Sequence, residues 1–394
     1  MFSGNYNYVK DGANGTLNRL VGHLLKRGIP VRIYSPTSDT PAFPPTGDLV
    51  SVPSVSIPRR REYRLALGMP RKVRDDLDAF APTLIHVSSP DLLGCAALRY
   101  AQQHELPAVA SYHTRFETYL GYYGLGWLEP GLKLFLNRFY ARCQRLYVPT
   151  ACTASLLRAD GIQQPVDIWH RGVDRALFSP NRRDPAWRAS LGIAPDEPVL
   201  LFVGRLVREK GLDVFVAAAD ALAARGVRHR VVVVGDGPER ESLRQALPLA
   251  RFTGFLTGEA LARAYASADM FFNPSVTEAF GNVTLEAMAS GLPTVCVDAT
   301  GSHTLVHHGE TGYLVPPGNL DAAVDRLAAL AGDLALRHRM GDAGRRASAH
   351  YDWDTLLDGV LRSYRDVIAG WPPLTTARLA PAAARMGDLL QPLR

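Results

Sequence analysis

Apolar positions along this chain come in two patterns: short runs of four or five consecutive apolar residues, and longer stretches in which apolar residues recur every three or four positions. The first reads as strands buried on both faces, the second as helices with one apolar face. In the first half these patterns predict helices near 14–27, 70–80 and 90–103 and strands near 31–34, 84–87, 107–111 and 145–148. The second half repeats the scheme, with strands near 199–203, 230–234, 269–273 and 293–297 and helices near 211–225, 257–267 and 282–290. Alternating strands and helices predict α/β architecture with parallel sheets and crossover helices, once in each half. Residues 179–198 concentrate proline and charge and read as the boundary. The expected domains are 1–178 and 179–350, followed by a helix over 351–370 that crosses back to the first domain and a tail over 371–394.

Two predicted strands lead into loops with candidate chemistry. Beyond the strand ending at Asn273, the segment 274–291 carries Glu278 in the loop and Glu286 in the first turns of the next helix. Ligands of open α/β sheets bind at that edge. The helix start, with backbone N–H groups of Phe280, Gly281, Asn282 and Val283, suits an anion such as a diphosphate, and the two carboxylates are then left to accept from hydroxyl groups. An isolated pair of glutamates equally suits a helix-dipole partner and a solvated loop residue. The segment 199–211 weighs against that plainer account, because its strand ends at Gly204 and turns with Arg205 and Lys210 toward the same edge. Only five of the 44 basic residues are lysines, so a lysine here points to a compact charge for a phosphate rather than the flat fork of arginine.

The chain resembles the retaining glycosyltransferases of family 4. The resemblance covers most of its length and rests on Gly204-Arg205 with Lys210-Gly211, Gly235-Asp236-Gly237-Pro238-Glu239, Glu278 through Glu286, Ser111-Tyr112-His113-Thr114, and Gly172-Val173-Asp174 with Phe178. It implies the GT-B fold, two Rossmann-like parallel-sheet domains facing a central cleft, with the nucleotide-sugar donor on the second. In that family Arg205 and Lys210 would neutralise the donor diphosphate, Glu286 would bind the nucleotide ribose, and Glu278 and His113 would hold hydroxyls of the transferred sugar. Backbone at Gly204, Gly235 and a glycine loop over 11–15 would approach the donor, with Gly15 in the loop and the helix opening at Thr16. One departure stands out: only Met1 and Phe2 precede Ser3-Gly4-Asn5, so the family's first strand is truncated or nearly absent.

Composition fits a two-domain enzyme, with 394 residues, 47% hydrophobic and 21% charged. Cys95, Cys143, Cys152 and Cys296 are scattered without metal-ligand spacing, which suits a reducing cytoplasm. The amino-terminal residues lack a signal-peptide pattern, and no apolar run approaches the roughly 18 residues that cross a bilayer. The net charge of +6 favours anionic partners. Residues 58–74 mix seven basic side chains with Tyr63, Leu65, Leu67 and Met69, and residues 112–140 hold nine aromatics, among them Tyr119, Tyr122, Tyr123, Trp127, Phe135 and Phe139. Basic and apolar residues interleaved suit an anionic membrane surface, and also suit a solvated loop followed by a partly buried helix. No nucleic-acid module accompanies the charge, so a nucleic-acid partner is not expected.

Competing motifs fall away. Glu241 and Ser242 stand where a third glycine of the dinucleotide fingerprint would follow Gly235-Asp236-Gly237, and no P-loop sequence occurs. Neither Asp76-Leu77-Asp78, in a predicted helix, nor Asp352-Trp353-Asp354, at a helix start, is placed to carry a metal, and His307 and His308 read as structural; no metal and no cofactor are expected. No side chain stands out as a general base. That agrees with the mechanism usually drawn for the family, in which the leaving phosphate oxygen takes the acceptor proton.

The resulting expectation is a cytoplasmic, peripherally membrane-associated retaining hexosyltransferase that forms an α-linkage on a glycan or lipid-linked hydroxyl. The run from Glu62 to Leu67 through Tyr112-His113-Thr114 looks most similar to GDP-mannose-dependent α-mannosyltransferases and to transferases that make sulfoquinovosyl lipid, which favours GDP-mannose over UDP-hexoses. A nucleotide-sugar epimerase on the same scaffold is the alternative from another class. It would convert donor without acceptor.

Overall fold

A computed structural model describes residues 1–9, 12–57, 60–113, 126–299 and 301–372. The chain forms two compact units, Met1–His170 with the segment from Asp354 onward, and Arg171–Trp353.

The first unit contains β1 (Arg32–Ser35), β2 (Asp48–Ser51), β3 (Ser54–Ile57), β4 (Arg60–Ala66), β5 (Ile85–Val87), β6 (Ala108–Ser111), β7 (Arg145–Val148) and β8 (Val166–Ile168). β1 pairs in parallel with β2, and β5 through β8 form a parallel set in that order. Phe2 joins the two sets, bridging in parallel to Tyr34 on one side and to Val87 on the other. Residues 1–3 therefore act as a short central strand: Phe2 N–H donates to His86 O at 2.8 Å and Ser3 N–H to Tyr34 O at 3.0 Å. The antiparallel hairpin β3–β4 has no counterpart in the predicted pattern.

The first helix, Gly12–Lys26, starts earlier than expected. Asn14 Nδ2 donates to Val9 O at 2.8 Å and Thr16 Oγ1 to Gly12 O at 2.8 Å, so side chains hold the start in place two residues before position 14. Gly15 is consequently not in the loop but in the first helical turn, and Thr16 does not open the helix.

The second unit contains β9 (Val199–Val203), β10 (Arg230–Val234), β11 (Arg251–Gly254), β12 (Met270–Asn273), β13 (Thr294–Val297) and β14 (Gly312–Val315), all parallel in the order β11-β10-β9-β12-β13-β14. The period of two sorts its apolar residues onto both faces. Leu200, Phe202, Val231, Val233, Met270 and Phe272 pack with Phe215 of helix Leu212–Ala224 and Leu327 of helix Leu320–Gly332. Leu201, Val232, Val234 and Phe271 pack with Tyr265 of helix Gly258–Ala266 and Met288 of helix Asn282–Ala289. Each fully buried side chain of this kind contributes about 1.5–3 kcal/mol, enough to fix strand register.

The stretch 179–198 carries structure of its own. Arg188, on helix Pro185–Ser190, is buried and pairs with Asp269 at 2.8 Å while donating to the carbonyls of Ser267, Ala194 and Glu197. The chain passes between units at His170–Arg171 and returns at Trp353–Asp354. Near both crossings Gly172 lies against the Trp353 ring, where a Cβ would fall 2.5 Å from the indole. The helix Trp353–Ala369 is then held to the first unit. Asp358 accepts from His23 and Arg27 at 2.8 Å each, and Ser363 bonds Tyr147, Arg145 and Asp167. Among the described residues, no helix is long and apolar enough to cross a membrane.

Candidate functional site

In the second sheet, the strands following β9 run to one side as β10 and β11, and β12 starts the other side. The chain thus reverses direction across the sheet between β9 and β12, the place where open α/β sheets bind ligands. The Arg205–Lys210 loop leaves β9 and the Glu278 loop leaves β12, so the order of strands puts both there.

The turn after β9 is locked to the turn after β10. Gly204 N–H donates to Val234 O at 3.0 Å, Leu206 N–H to Asp236 O at 2.9 Å, and Glu239 N–H to Leu206 O at 3.0 Å. Gly235 has φ +140°, and a Cβ there would lie 1.9 Å from Gly204 O; at Gly237 it would lie 2.4 Å from Leu206 O. Only glycine admits this approach. The same loop is tied to the β12 loop, where the hydroxyls of Thr277 and Ser275 donate to Glu209 O at 3.1 and 3.4 Å.

These contacts bring the two candidate charges together: Lys210 Nζ donates to Glu278 Oε1 at 2.7 Å, with both side chains largely buried. Arg205 lies exposed on the same loop. The Glu278 backbone is fixed by Gly301, whose N–H donates to Glu278 O at 3.0 Å. Gly281 takes a left-handed conformation, φ +95°, and opens the helix Asn282–Ala289, in which Thr284 and Leu285 are the first to bond back, to Gly281 O. Phe280 is buried edge-on to Tyr351 at 5.8 Å, and Val283 packs against the core. Glu286, on the same helix, accepts from the Tyr265 hydroxyl through Oε2 at 3.0 Å. Sequence patterns did not single out Tyr265; its one signal is an aromatic with a polar end in an apolar helix stripe, which must find a partner when buried.

His113 and Gly15 belong to the first unit. His113 lies two residues past β6, edge-on to Trp169 at 5.8 Å between ring centres. Before it, Ser111 Oγ lies 2.8 Å from His86 Nε2. Thr114, the basic residues Lys10 and Arg59, and the aromatics Tyr119, Tyr122 and Tyr123 lie outside the described residues. Gly172-Val173-Asp174 shapes the passage between units: Val173 N–H donates to Tyr351 O, and Asp174 Oδ1 accepts from the N–H groups of Ala176 and Leu177.

The acidic pairs have other duties. Asp76 accepts from Arg32 and from the Tyr34 hydroxyl, at 2.9 and 2.8 Å, and Asp78 from the Tyr100 hydroxyl at 2.6 Å. Asp354 faces His23 at 3.4 Å. His308 Nδ1 accepts from Leu314 N–H at 3.2 Å, and His307 N–H donates to Thr311, closing a turn. Burial pushes the Cys296 thiol, near Thr284, up to about 12, so it stays unreactive.

The chain matches two family models, Glycosyltransferase Family 4 over residues 10–177 and Glycosyl transferases group 1 over residues 183–347. It is 34% identical over 368 residues to a GDP-mannose-dependent alpha-mannosyltransferase of Mycolicibacterium smegmatis, covering 91% of this chain and 94% of the relative. It is 33% identical over 309 residues to the sulfoquinovosyl transferase SQD2 of Arabidopsis thaliana, covering 76% of this chain and 60% of that one. Among solved structures, the sucrose-phosphate synthase of Thermosynechococcus elongatus superposes with a TM-score of 0.73 at 22% identity, covering 93% of this chain and 98% of that one. Anabaena HepE in complex with UDP and glucose superposes at 0.70 and 17% identity, covering 92% and 98%. With both halves matched in order and a relative aligned along nearly its whole length, the chain has the GT-B fold, belongs to glycosyltransferase family 4 and is a glycosyltransferase.

Proposed function

We propose that the chain is a retaining hexosyltransferase that moves mannose from GDP-mannose to a hydroxyl of a glycan or lipid-linked acceptor, forming an α-linkage. The observation that carries this reading is the Lys210–Glu278 pair at 2.7 Å, set where the strand order reverses and beside the start of the helix Asn282–Ala289. Lys210 and Arg205 offset the donor diphosphate, the helix start with Phe280, Gly281, Asn282 and Val283 accommodates its oxygens, and Glu286 accepts from the ribose hydroxyls. Glu278 holds a sugar hydroxyl once the ammonium turns to the phosphate. The backbone at Gly204 and Gly235 approaches the donor, and His113 and Gly15 are further proposed donor contacts. As the sugar–phosphate bond breaks, negative charge grows on the diphosphate, where preorganised cationic donors act most strongly. The departing oxygen takes the acceptor proton on the same face of the sugar. Two basic side chains supply the positive charge that a divalent ion would otherwise bring, so transfer persists in excess EDTA.

GDP-mannose is favoured by the names carried by full-length relatives such as that of Mycolicibacterium smegmatis. The second reading, a UDP-hexose donor, is favoured by the HepE complex with UDP and glucose. Transfer of labelled sugar from GDP-mannose, and not from UDP-glucose, onto a lipid or glycan extract separates the two. Donor conversion without acceptor would replace both with an epimerase. The acceptor is proposed to be met at the cytoplasmic face of an anionic membrane. In support, Val55 and Leu65 form an exposed cross-strand pair on the hairpin, and Trp127, just before helix Glu129–Tyr140, and Leu134 and Phe135 within it are exposed.

A further inference from the structure

Glu286 is held by a residue from another helix. Tyr265 lies near the end of helix Gly258–Ala266 and is 0% exposed, its ring edge-on to Phe178 at 5.8 Å and tilted against Phe271 at 6.1 Å. Packing on both sides leaves this ring no other rotamer without repacking the core. Its hydroxyl ends 3.0 Å from Glu286 Oε2, which accepts the proton. Burial, and then the neighbouring carboxylate, push the Tyr265 pKa well above the usual tyrosine value, so the hydroxyl stays protonated and always donates.

The last torsion of a glutamate carboxylate has broad minima. A charge-assisted bond from a donor fixed by packing narrows that torsion and biases the plane of both oxygens. We infer that Tyr265 is a positioning residue that aims Glu286 at a vicinal diol, an inference that rests on Glu286 holding the donor ribose. Tyr265 is buried away from solvent, and its hydroxyl bonds the Glu286 carboxylate. Its loss should therefore weaken recognition of the ribose diol and leave the chemical step alone.

Calorimetric titration with GDP and with 2′,3′-dideoxy-GDP tests this in wild type, Tyr265→Phe, Glu286→Gln and the double variant. Should the enzyme prefer UDP, the same pair of uridine nucleotides serves. Tyr265→Phe should lose about tenfold in affinity for GDP and less than about twofold for the dideoxy nucleotide, with kcat within about twofold of wild type. In the Glu286→Gln background the same substitution should change nothing, since the oriented group is gone. The inference is overturned if Tyr265→Phe weakens both nucleotides equally, if it weakens neither while Glu286→Gln erases the preference for GDP, or if its effect persists in the double variant. A Glu286→Gln variant that keeps the full preference for GDP over the dideoxy nucleotide instead overturns the ribose role of Glu286 itself.

Discussion

Lys210 and Glu278, 68 residues apart, meet at 2.7 Å because the loops that carry them are joined through the backbone carbonyl of Glu209. Their charges compensate one another in a largely buried place, where an unpaired ion is costly. In the proposed function an arriving diphosphate would offer the ammonium a doubly charged partner and free the carboxylate for a hydroxyl. The pair would then be a structural contact that also serves as part of the proposed donor site.

Removing either half of the cationic set should show this. Lys210→Ala and Arg205→Ala should each lower turnover at least about a hundredfold, since a preorganised donor to developing negative charge contributes about 2.7–4 kcal/mol. Lys210→Ala should also lower the melting temperature, because it leaves Glu278 unpaired, whereas exposed Arg205 should affect melting little. Steady-state kinetics with thermal melts would decide. Near-normal turnover in both variants would remove these residues from the site.

The glycines of the site make a second, sharper contrast. Gly235→Ala combines φ +140° with a Cβ 1.9 Å from Gly204 O, so the two turns must separate. Strained backbone of this kind costs about 1–3 kcal/mol, and the displaced turn carries Arg205, so both melting temperature and donor affinity should fall. Gly15→Ala meets nothing within 4 Å and lies in a helical turn, where alanine is tolerated or stabilising by about 0.4–1 kcal/mol. A raised donor KM in this variant with unchanged melting would support a close backbone approach at Gly15; an unchanged KM would count against it.

The strands β9, β10, β12 and β13 of the second sheet were legible from their apolar runs, as in Val199–Val203 and in residues 270–272. β11 was missed because Arg251–Gly254 is a half-buried edge strand, and β14 because Gly312–Val315 begins on a glycine. β2, with Asp48 and Ser51 at its ends, and the polar hairpin gave no apolar run at all. The internal structure of 179–198 was hidden for a different reason: Pro185 starts a helix, and Arg183 and Arg188 are paired with Asp269, which no local pattern reveals. Of the candidate residues, Glu278, Arg205 and Lys210 were readable as loop residues beyond strand ends and Glu286 as a residue of the following helix. Their partners were not, since Tyr265 and Gly301 reach the site only through tertiary packing.

Buried histidine gives a pH dependence. His86 on β5 pairs with the Tyr364 hydroxyl and, at 2.8 Å, with Ser111, and burial pushes its pKa from the usual 6.5 down to about 3. The unfolded chain therefore takes up a proton that the fold refuses. Stability is complete above about pH 6.5 and falls as pH drops toward 3, by at most about 1.4 kcal/mol for each pH unit from this group. Urea melts at pH 7.5 and 5.5 should show the decrease, and His86→Asn, which does not titrate there, should flatten it. An identical slope in the variant would place the proton uptake elsewhere.

The proposed membrane docking can be tested on the exposed apolar residues of the first unit and on its basic segment. Trp127 is 76% exposed, and Leu134 and Phe135 on the helix that follows are exposed too, apolar groups of the kind that enter a lipid interface. The segment 58–74 adds seven basic residues, each contributing about 1 kcal/mol near an anionic surface. Charge alone would make docking salt-sensitive, whereas inserted aromatics persist when salt screens the surface. Replacing Arg59, Arg60 and Arg61 with serine should then weaken sedimentation with vesicles containing phosphatidylglycerol at low salt. Trp127→Ser with Phe135→Ser should abolish the fraction that remains bound at high salt. Neither set should change turnover of a soluble acceptor, because the proposed donor contacts lie elsewhere. Equal binding of the wild type to neutral and anionic vesicles, or binding to neither, would leave these residues as ordinary solvated surface.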